Sequence, residues 1–254
     1  MRPDVSGTAF PRIDRSIVAD DGDEYTFCST CAFSHACLSQ GMDKASLRDL
    51  HMLVEHIGPF HAGEHVFREG DPFEAIAAVR AGTVKTYSID RDGREHVLGF
   101  HLPGEVIGLN AIAGDKYPCN AVALDTVTLC RFSFPQISVL ATRLPGLQQT
   151  LFRLLSRDIG TASLLAGDWT ADERMAAFLI GLSRRLAARG FSADRFQLTM
   201  ARTDIANYLR LAPETVSRVL KRFQDEGMLQ VDRRELELLD RPRLESLGGG
   251  ILPS

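Results

Sequence analysis

The pattern of apolar and polar positions changes twice along the chain. From Pro59 to about Pro135, short apolar runs are cut at close intervals by glycines, and Asp90–Gly93 has the composition of a hairpin turn. Many short strands with frequent turns are typical of an antiparallel barrel or sandwich. The runs are His65–Phe67, Ile76–Val79, Val84–Ile89, His96–Leu102 and Ala121–Phe134.

Helical spacing flanks this strand-rich region on both sides. Before it, leucines at 47, 50 and 53 with Val54 and Ile57 predict a helix within Met42–Ile57. After it, a longer pattern predicts a helix from Gln136 to about Ala166 with two apolar seams. Such a stripe favours a parallel homodimer contact, and the alternative is an amphipathic helix packed on its own domain. The seams are Leu147, Leu151, Leu154 and Asp158, and Phe152, Leu155, Ile159, Ala162 and Ala166.

The last third of the chain predicts a winged helix-turn-helix. Thr170 and Glu173 have the spacing of a capping box that opens one helix. Two shorter helices, over 203–209 and from Glu214 to about Glu226, flank a turn at 210–213. Residues 228–239 alternate like a small β-wing, with two arginines at its bend.

The second of these short helices is amphipathic, with one apolar and one polar face. The inward positions are Val216, Val219, Leu220 and Phe223. Arg218 can read guanine, Glu214 can accept from cytosine, and Ser217 can reach a base or a phosphate. Lys221 and Arg222 suit phosphate contacts, which add affinity without sequence information. The alternative is a solvated charged face without a partner.

Charge strengthens the DNA-binding interpretation. The net charge is −4, yet Arg174–Arg234 carries twelve Lys and Arg against six Asp and Glu. A basic segment on an acidic body suggests an anionic partner for that segment. No apolar run approaches the ~20 residues of a membrane helix, and Met1–Tyr25 lacks the apolar core of a signal peptide. We therefore expect a cytoplasmic protein without a membrane partner.

Three of the five cysteines, Cys28, Cys31 and Cys37, fall within ten residues. Clustered thiolates suit an iron–sulfur cluster, which needs four of them, or a structural zinc, for which His35 could complete the set. Disulfides are not expected in a reducing compartment. Cys119 and Cys130 are the other cysteines, and spacing alone does not separate iron–sulfur from zinc.

The order of barrel, long helix and winged helix-turn-helix resembles the cyclic-AMP receptor and FNR (fumarate and nitrate reductase regulator) superfamily. The cysteine spacing and Glu214-Thr-Val-Ser217-Arg218 are similar to the oxygen-sensing FNR branch. The resemblance implies an α+β fold: a cyclic-nucleotide-binding-like jelly-roll barrel, a dimerisation helix and a winged helix-turn-helix. It also implies an oxygen-labile [4Fe–4S] cluster on Cys28, Cys31, Cys37 and Cys130.

In that family the intact cluster favours the homodimer, which binds double-stranded DNA at TTGAT-N4-ATCAA, and oxygen reverses both. The resemblance assigns base reading to Glu214, Ser217 and Arg218. The family's dimer seam matches Phe152, Leu155, Ile159 and Ala162, with Asp158 one turn before the position of its usual acidic group. A polymerase contact would match the hairpin at Asp90, Gly93 and Arg94.

The resemblance does not extend to cyclic nucleotides. Nucleotide-binding members have an arginine for the phosphate after a Gly-Glu turn. Here Gly104-Glu105 is present, but Tyr117–Ala121 contains no arginine. Burying an unpaired phosphate is costly, so we expect no cyclic nucleotide.

These observations predict four segments: a lead-in at 1–26, a cluster loop with barrel at 27–135, a dimerisation helix at 136–167 and the DNA-binding domain at 168–254. The predicted function is an oxygen-responsive transcription regulator that contacts RNA polymerase and is not an enzyme. The alternatives are a zinc-bound or cluster-free regulator of the same fold and an iron–sulfur redox protein.

Overall fold

The computed structural model describes residue 28, residues 31–164 and residues 167–252, and for 160–164 it describes the backbone alone. The predicted lead-in at 1–26 lies outside these residues. A short helix α1 (Lys44–His51) follows the cysteine loop and is capped by the Asp43 side chain. The predicted helix is wrong beyond this point, because Val54 and Ile57 belong to strand β1 (Val54–Phe60). β-Branched residues ahead of Gly58-Pro59 favour an extended chain.

Two four-stranded antiparallel sheets form the N-terminal domain. The strands after β1 are β2 (His65–Phe67), β3 (Ala75–Ala81), β4 (Val84–Ile89), β5 (Glu95–His101), β6 (Val106–Ile107), β7 (Asn120–Ala123) and β8 (Val127–Ser133). One sheet has the order β1-β8-β3-β6 and the other β2-β7-β4-β5. The predicted hairpin joins β4 to β5, and Ala121–Phe134 is two strands rather than one run.

The helical segment after β8 is broken. Helix α2 (Phe134–Arg143) ends at Leu144, and α3 (Pro145–Leu164) begins at the next residue. Pro145 has no amide hydrogen to continue the ladder, and it disfavours helical geometry at Leu144, whose φ and ψ are −117° and 92°. The prediction of one uninterrupted helix from Gln136 is therefore wrong, and Ala166 lies outside the described residues.

The C-terminal domain has the predicted winged helix-turn-helix. Thr170 and Glu173 form the capping box of α4 (Ala171–Ala187). The other elements are β9 (Arg195–Gln197), α5 (Arg202–Leu209), α6 (Pro213–Asp225), β10 (Leu229–Asp232), β11 (Glu235–Leu238) and α7 (Arg241–Gly248). The sequence did not predict β9 or α7. Gly248 allows helix α7 to pack closely against α4, since a Cβ at this position would lie only 2.6 Å from the amide nitrogen of Ala177.

The two domains share apolar packing. Val97, Phe100 and Leu102, in β5 and just after it, are buried in the same cluster as Leu179 of α4 and Leu209 of α5. Strand β5 is an edge strand of its sheet, so the DNA-binding domain covers part of that edge. None of the helices within 31–164 and 167–252 is long and apolar enough to cross a membrane.

Candidate metal centre and DNA-binding surface

Four cysteines line one cavity between the N-terminal loop and strand β8. Backbone bonds from Ser34 N to Cys31 O (3.1 Å) and from Ala36 N to Phe33 O (3.0 Å) fold the loop into tight turns. The turns bring together cysteines that are well separated along an extended chain. The cavity is lined by Cys28, Cys31, Cys37 and Cys130, with Ser39, Leu50, His56, Arg80 and Phe132.

The structure brings Cys130, and not Cys119, to the cysteine loop. Cys130 lies in β8, opposite His56 of β1 and Ala78 of β3. Cys119 is 1% exposed in the barrel core, where its sulfur accepts a hydrogen bond from Asn110 Nδ2 at 3.3 Å. Cys119 therefore has the surroundings of a small core residue.

Two histidines close to the cysteines, in sequence or in space, differ in orientation. His35 Nε2 lies 2.6 Å from the carbonyl oxygen of Ala188 in the DNA-binding domain, and its ring does not line the cavity. His56 does line it, with Nδ1 3.6 Å from Cys130 Sγ. The histidine that the sequence offered as a zinc ligand is thus directed away from the cysteines.

Burial raises the pKa of the Cys28, Cys37 and Cys130 thiols. The pKa reaches about 11 for Cys28 and about 12 for Cys130, with neighbouring cysteines adding to both shifts, so these thiols are poor acids. A bound metal group would offset this penalty by neutralising the thiolates. Among the residues that the structure describes, no group of three or more His, Cys, Asp or Glu is arranged to hold a metal ion.

Helix α6 presents the polar face that the sequence predicted. Val216, Val219, Leu220 and Phe223 are buried. Ser217 Oγ donates to Pro213 O at 3.1 Å, and Arg218 donates to Thr215 Oγ1 at 3.3 Å. These contacts are local and exposed, so both side chains remain at the surface. The exposed residues include Glu214, Ser217, Arg218, Lys221 and Arg222.

The two cationic residues that are predicted to contact DNA phosphates already pair with acidic side chains. Lys221 pairs with Asp225 at 3.4 Å across one helical turn, with both side chains exposed. Arg222 pairs with Asp172 in the first turn of α4. Exposed pairs of this kind are weak, so a phosphate can compete for either cation.

Known proteins share both domains and their order. Residues 58–143 match the cyclic nucleotide-binding domain family, and residues 173–247 match the Crp-like helix-turn-helix domain family. The transcriptional activator protein anr of Pseudomonas aeruginosa is 43% identical over 228 residues, which are 89% of this chain and 93% of that protein. The fumarate and nitrate reduction regulatory protein of Escherichia coli is 39% identical over 225 residues, or 87% and 90% of the two chains.

The chain belongs to the FNR branch of the CRP/FNR superfamily. The structure of FixK2 from Bradyrhizobium japonicum matches with a TM-score of 0.69 and 31% identity, over 76% of this chain and 96% of that one. The prediction of a DNA-binding transcription regulator with this fold is confirmed, and the relatives are regulators rather than enzymes.

This FNR-branch protein exposes apolar side chains on helix α3. Phe152 and Ile159 are 61% and 70% exposed, and they are two turns apart on one face. Leu155 is half-buried and packs partly on the barrel side, whereas Asp158 is exposed. The side chain of Ala162 lies outside the described part. The leucines of the other seam are turned inward, since Leu147 is fully buried and Leu151 and Leu154 pack in the same cluster, whereas its last member, Asp158, is exposed.

The hairpin between β4 and β5 is fixed by its first residue. Asp90 accepts hydrogen bonds from the amides of Asp92 and Arg94, both at 2.9 Å, and pairs with His96 at 2.8 Å. Gly93 has φ of 79°, as the turn requires. Asp90 therefore shapes the hairpin, while Arg94 is exposed at the tip.

The two domains are joined by polar contacts that the sequence does not predict. Glu105, which the sequence placed in a nucleotide-binding turn, is instead held by Arg185 and Arg189 of the segment at the end of α4. Asn207 of α5 accepts from Val97 N at 2.8 Å and donates to Glu95 O at 2.7 Å. The i, i+4 spacing of the two arginines was the one signal that could have indicated an acidic partner.

Proposed function

We propose that this regulator responds to oxygen through a [4Fe–4S] cluster held by Cys28, Cys31, Cys37 and Cys130. The observation that carries the proposal is the convergence of these four thiols on one cavity, although Cys130 is about a hundred residues from the others in sequence. Four thiolates are the ligand set that such a cluster takes. When bound, the cluster supplies a group that oxygen can destroy.

A cluster and a single zinc make different demands on the spacing of the four sulfurs. A tetrahedral zinc site needs its sulfurs within about 3.8 Å of one another, given a Zn–S bond of ~2.3 Å. In a [4Fe–4S] cluster each sulfur binds a different iron, so the thiols stay farther apart. Iron, sulfide and zinc contents measured together therefore distinguish the two possible occupants of the cavity.

Packing connects the cysteines to the dimer helix. Cys37 and Cys130 lie against the same apolar cluster as Leu147 and Leu151 of α3. Strand β8 also passes directly into α2, which precedes α3. A change in how the cysteines are held would therefore shift the helix whose outer face carries Phe152 and Ile159. We infer that this face forms the homodimer when the cluster is present.

The dimer would then place two α6 helices on one face of DNA. Successive major grooves are about 34 Å apart, so a monomer makes only half of the contacts. We propose that Glu214, Ser217 and Arg218 read base edges in TTGAT-N4-ATCAA-like inverted repeats. Lys221 and Arg222 would exchange their present partners, Asp225 and Asp172, for DNA phosphates.

We infer that the barrel does not take a cyclic nucleotide. Tyr117 fills its interior by stacking on Phe67 with ring centroids 3.9 Å apart, and its hydroxyl donates to Ala75 O at 2.6 Å. Glu105 is occupied by two arginines from the other domain. For RNA polymerase, the exposed hairpin at Asp90, Gly93 and Arg94 is the contact we propose.

The test is an absorption spectrum of protein purified without oxygen, with iron, sulfide and zinc assayed on the same sample. Broad visible absorption that bleaches in air, with about four irons and four sulfides per chain, supports the proposal. A colourless protein with one zinc per chain would contradict it and leave a zinc-stabilised regulator.

A further inference from the structure

The cysteine loop contacts the DNA-binding domain directly, within the same chain. The Phe33 ring lies against the Phe191 ring, with centroids 5.8 Å apart and planes inclined by 31°. Two residues along the loop, His35 Nε2 reaches the carbonyl oxygen of Ala188 at 2.6 Å. Both partners lie at or just after the C-terminal end of α4. The contacts are made by residues between the cysteines, so they depend on how the cysteines are held.

The loop also lies on the turn that joins β5 to β6. A Cβ at Gly104 would come within 3.4 Å of the Cβ atoms of Phe33 and Ala36. The next residue, Glu105, pairs with Arg189 at 2.8 Å, and Arg189 also donates to the carbonyl oxygen of Pro103. The loop, the turn and the end of α4 therefore form one contact region.

The chemistry of the α4 terminus suits a hydrogen-bond donor. The last carbonyls of a helix lack intrahelical partners and carry a partial negative charge. Ala188 is the C-cap residue of α4, and the His35 ring nitrogen can donate to its carbonyl. Phe191 is 47% exposed, and its ring contacts the Phe33 ring of this loop.

We propose that the C-terminal end of α4 with Phe191 is a docking surface for the cysteine loop, through which the state of the cysteines acts on the DNA-binding domain of the same subunit. This route acts in addition to dimerisation. It rests on the proposed function only in that some bound group orders the loop, and it holds for a zinc as well as for a cluster. Coupling of this kind is reciprocal, so a docked DNA-binding domain also stabilises the loop.

The decisive experiment is a double-mutant cycle between Phe33 and Phe191, because neither residue is a proposed metal ligand or DNA contact. The proteins are wild type, Phe33→Ala, Phe191→Ala and the double variant, each purified with its metal group. Metal content, dimer fraction by sedimentation and Kd for an operator duplex are measured on the same samples. Leu239→Ala, at another exposed apolar residue of the DNA-binding domain, is the matched control.

Each single variant is expected to raise Kd about tenfold at an unchanged dimer fraction, from the loss of an aromatic contact and its neighbouring hydrogen bond. The double variant is expected to have the same Kd as either single variant, because both substitutions remove the same contact. Additive effects, or a rise in Kd explained by loss of dimer, would overturn the proposal.

A second readout tests the reverse direction. Phe191→Ala is expected to speed loss of the bound metal to a chelator or to air several-fold, although residue 191 is in the other domain. Leu239→Ala should leave that rate unchanged. Equal rates in wild type and Phe191→Ala would contradict the coupling, whatever metal the assay on the wild-type protein identifies.

Discussion

Glu105 and Arg189 form an ion pair at 2.8 Å in which both side chains are only 4% exposed. Glu105 belongs to the barrel domain, and Arg189 follows the first helix of the DNA-binding domain. Arg185 adds a second cation that keeps the pKa of Glu105 low, at about 2, despite burial. This depressed pKa means that the charged form of Glu105 contributes stability above about pH 4.5, and that the contribution is lost as the pH falls through 2.

Glu105→Gln is therefore expected to destabilise the protein at pH 7. The change leaves Arg189 buried without its anion, and breaking a buried pair in this way costs about 3 kcal/mol. Denaturant unfolding of both proteins at one pH measures the loss. Glu237→Gln is the matched control, since Glu237 pairs with Arg195 at 3.6 Å while both are well exposed. A loss below 1 kcal/mol for Glu105→Gln would show that the pair does not hold the domains.

The low pKa of His101 predicts a loss of stability at mildly acidic pH. Burial and nearby arginines, offset in part by Glu105, lower its pKa from 6.5 to about 4. A histidine whose folded pKa is depressed binds its proton more readily in the unfolded chain, so the free energy of unfolding falls as the pH drops from 6.5 to 4. Because the residue is only half-buried, we expect about 1 kcal/mol between pH 7 and pH 5.

The comparison for this prediction is His101→Gln, which removes the titration but can keep a hydrogen bond to Thr86 Oγ1, now 3.0 Å from the ring. Its free energy of unfolding should change less than that of wild type between the two pH values. An equal change in both proteins would assign the pH dependence to other groups.

Structural features that depend on residues close together in the sequence were predicted correctly. The buried face of α6, the capping box at Thr170 and the hairpin at Asp90 follow from spacing within one element. The contacts of Glu105 with Arg185 and Arg189 join residues eighty or more positions apart, so no periodicity reveals them. The helix break at Leu144 was visible in the proline that follows it, but the apolar spacing on both sides outweighed that signal.

The fourth ligand at the cysteine site can be identified by a pair of substitutions. Cys130→Ala is expected to abolish iron binding under anaerobic purification, because Cys130 shares the cavity with the loop cysteines. Cys119→Ala should retain iron and lose only about 1 kcal/mol of stability, since it trims a buried core side chain. Iron and sulfide assays with thermal unfolding separate the two effects. Loss of iron in Cys119→Ala alone would reverse the assignment.

The exposed face of α3 predicts how dimerisation can be lost without unfolding. Ile159→Glu places a charge on a side chain that is 70% exposed within one chain, so the subunit should keep its melting temperature. In a dimer the charge would be buried without a partner, which costs several kcal/mol. Sedimentation of anaerobic protein should then show a monomer.

Val139→Glu is the matched control for this change, because Val139 is a 55% exposed apolar residue on α2, away from the predicted seam. It should leave the dimer intact. A dimer in Ile159→Glu, or a monomer in Val139→Glu, would place the interface on a different face.

Two residues of α6 should separate sequence reading from phosphate binding. Arg218→Ala is expected to weaken binding to the operator by about 1–3 kcal/mol and to relax preference at one base pair of each half-site. Lys221→Ala should weaken binding to all duplexes alike and reduce the slope of log Kd against log salt by about one. Fluorescence anisotropy with the operator and single-base variants, at several salt concentrations, measures both effects.

The contrast follows from the positions of the two side chains on the helix. Arg218 lies in the half of α6 nearer its N-terminus, which a helix-turn-helix directs at base edges, and its guanidinium donates a hydrogen bond to the hydroxyl of Thr215. Lys221 lies about one turn later and pairs with the exposed Asp225. A change of base preference in Lys221→Ala, with none in Arg218→Ala, would mean that α6 enters the groove in a different orientation from the one we propose.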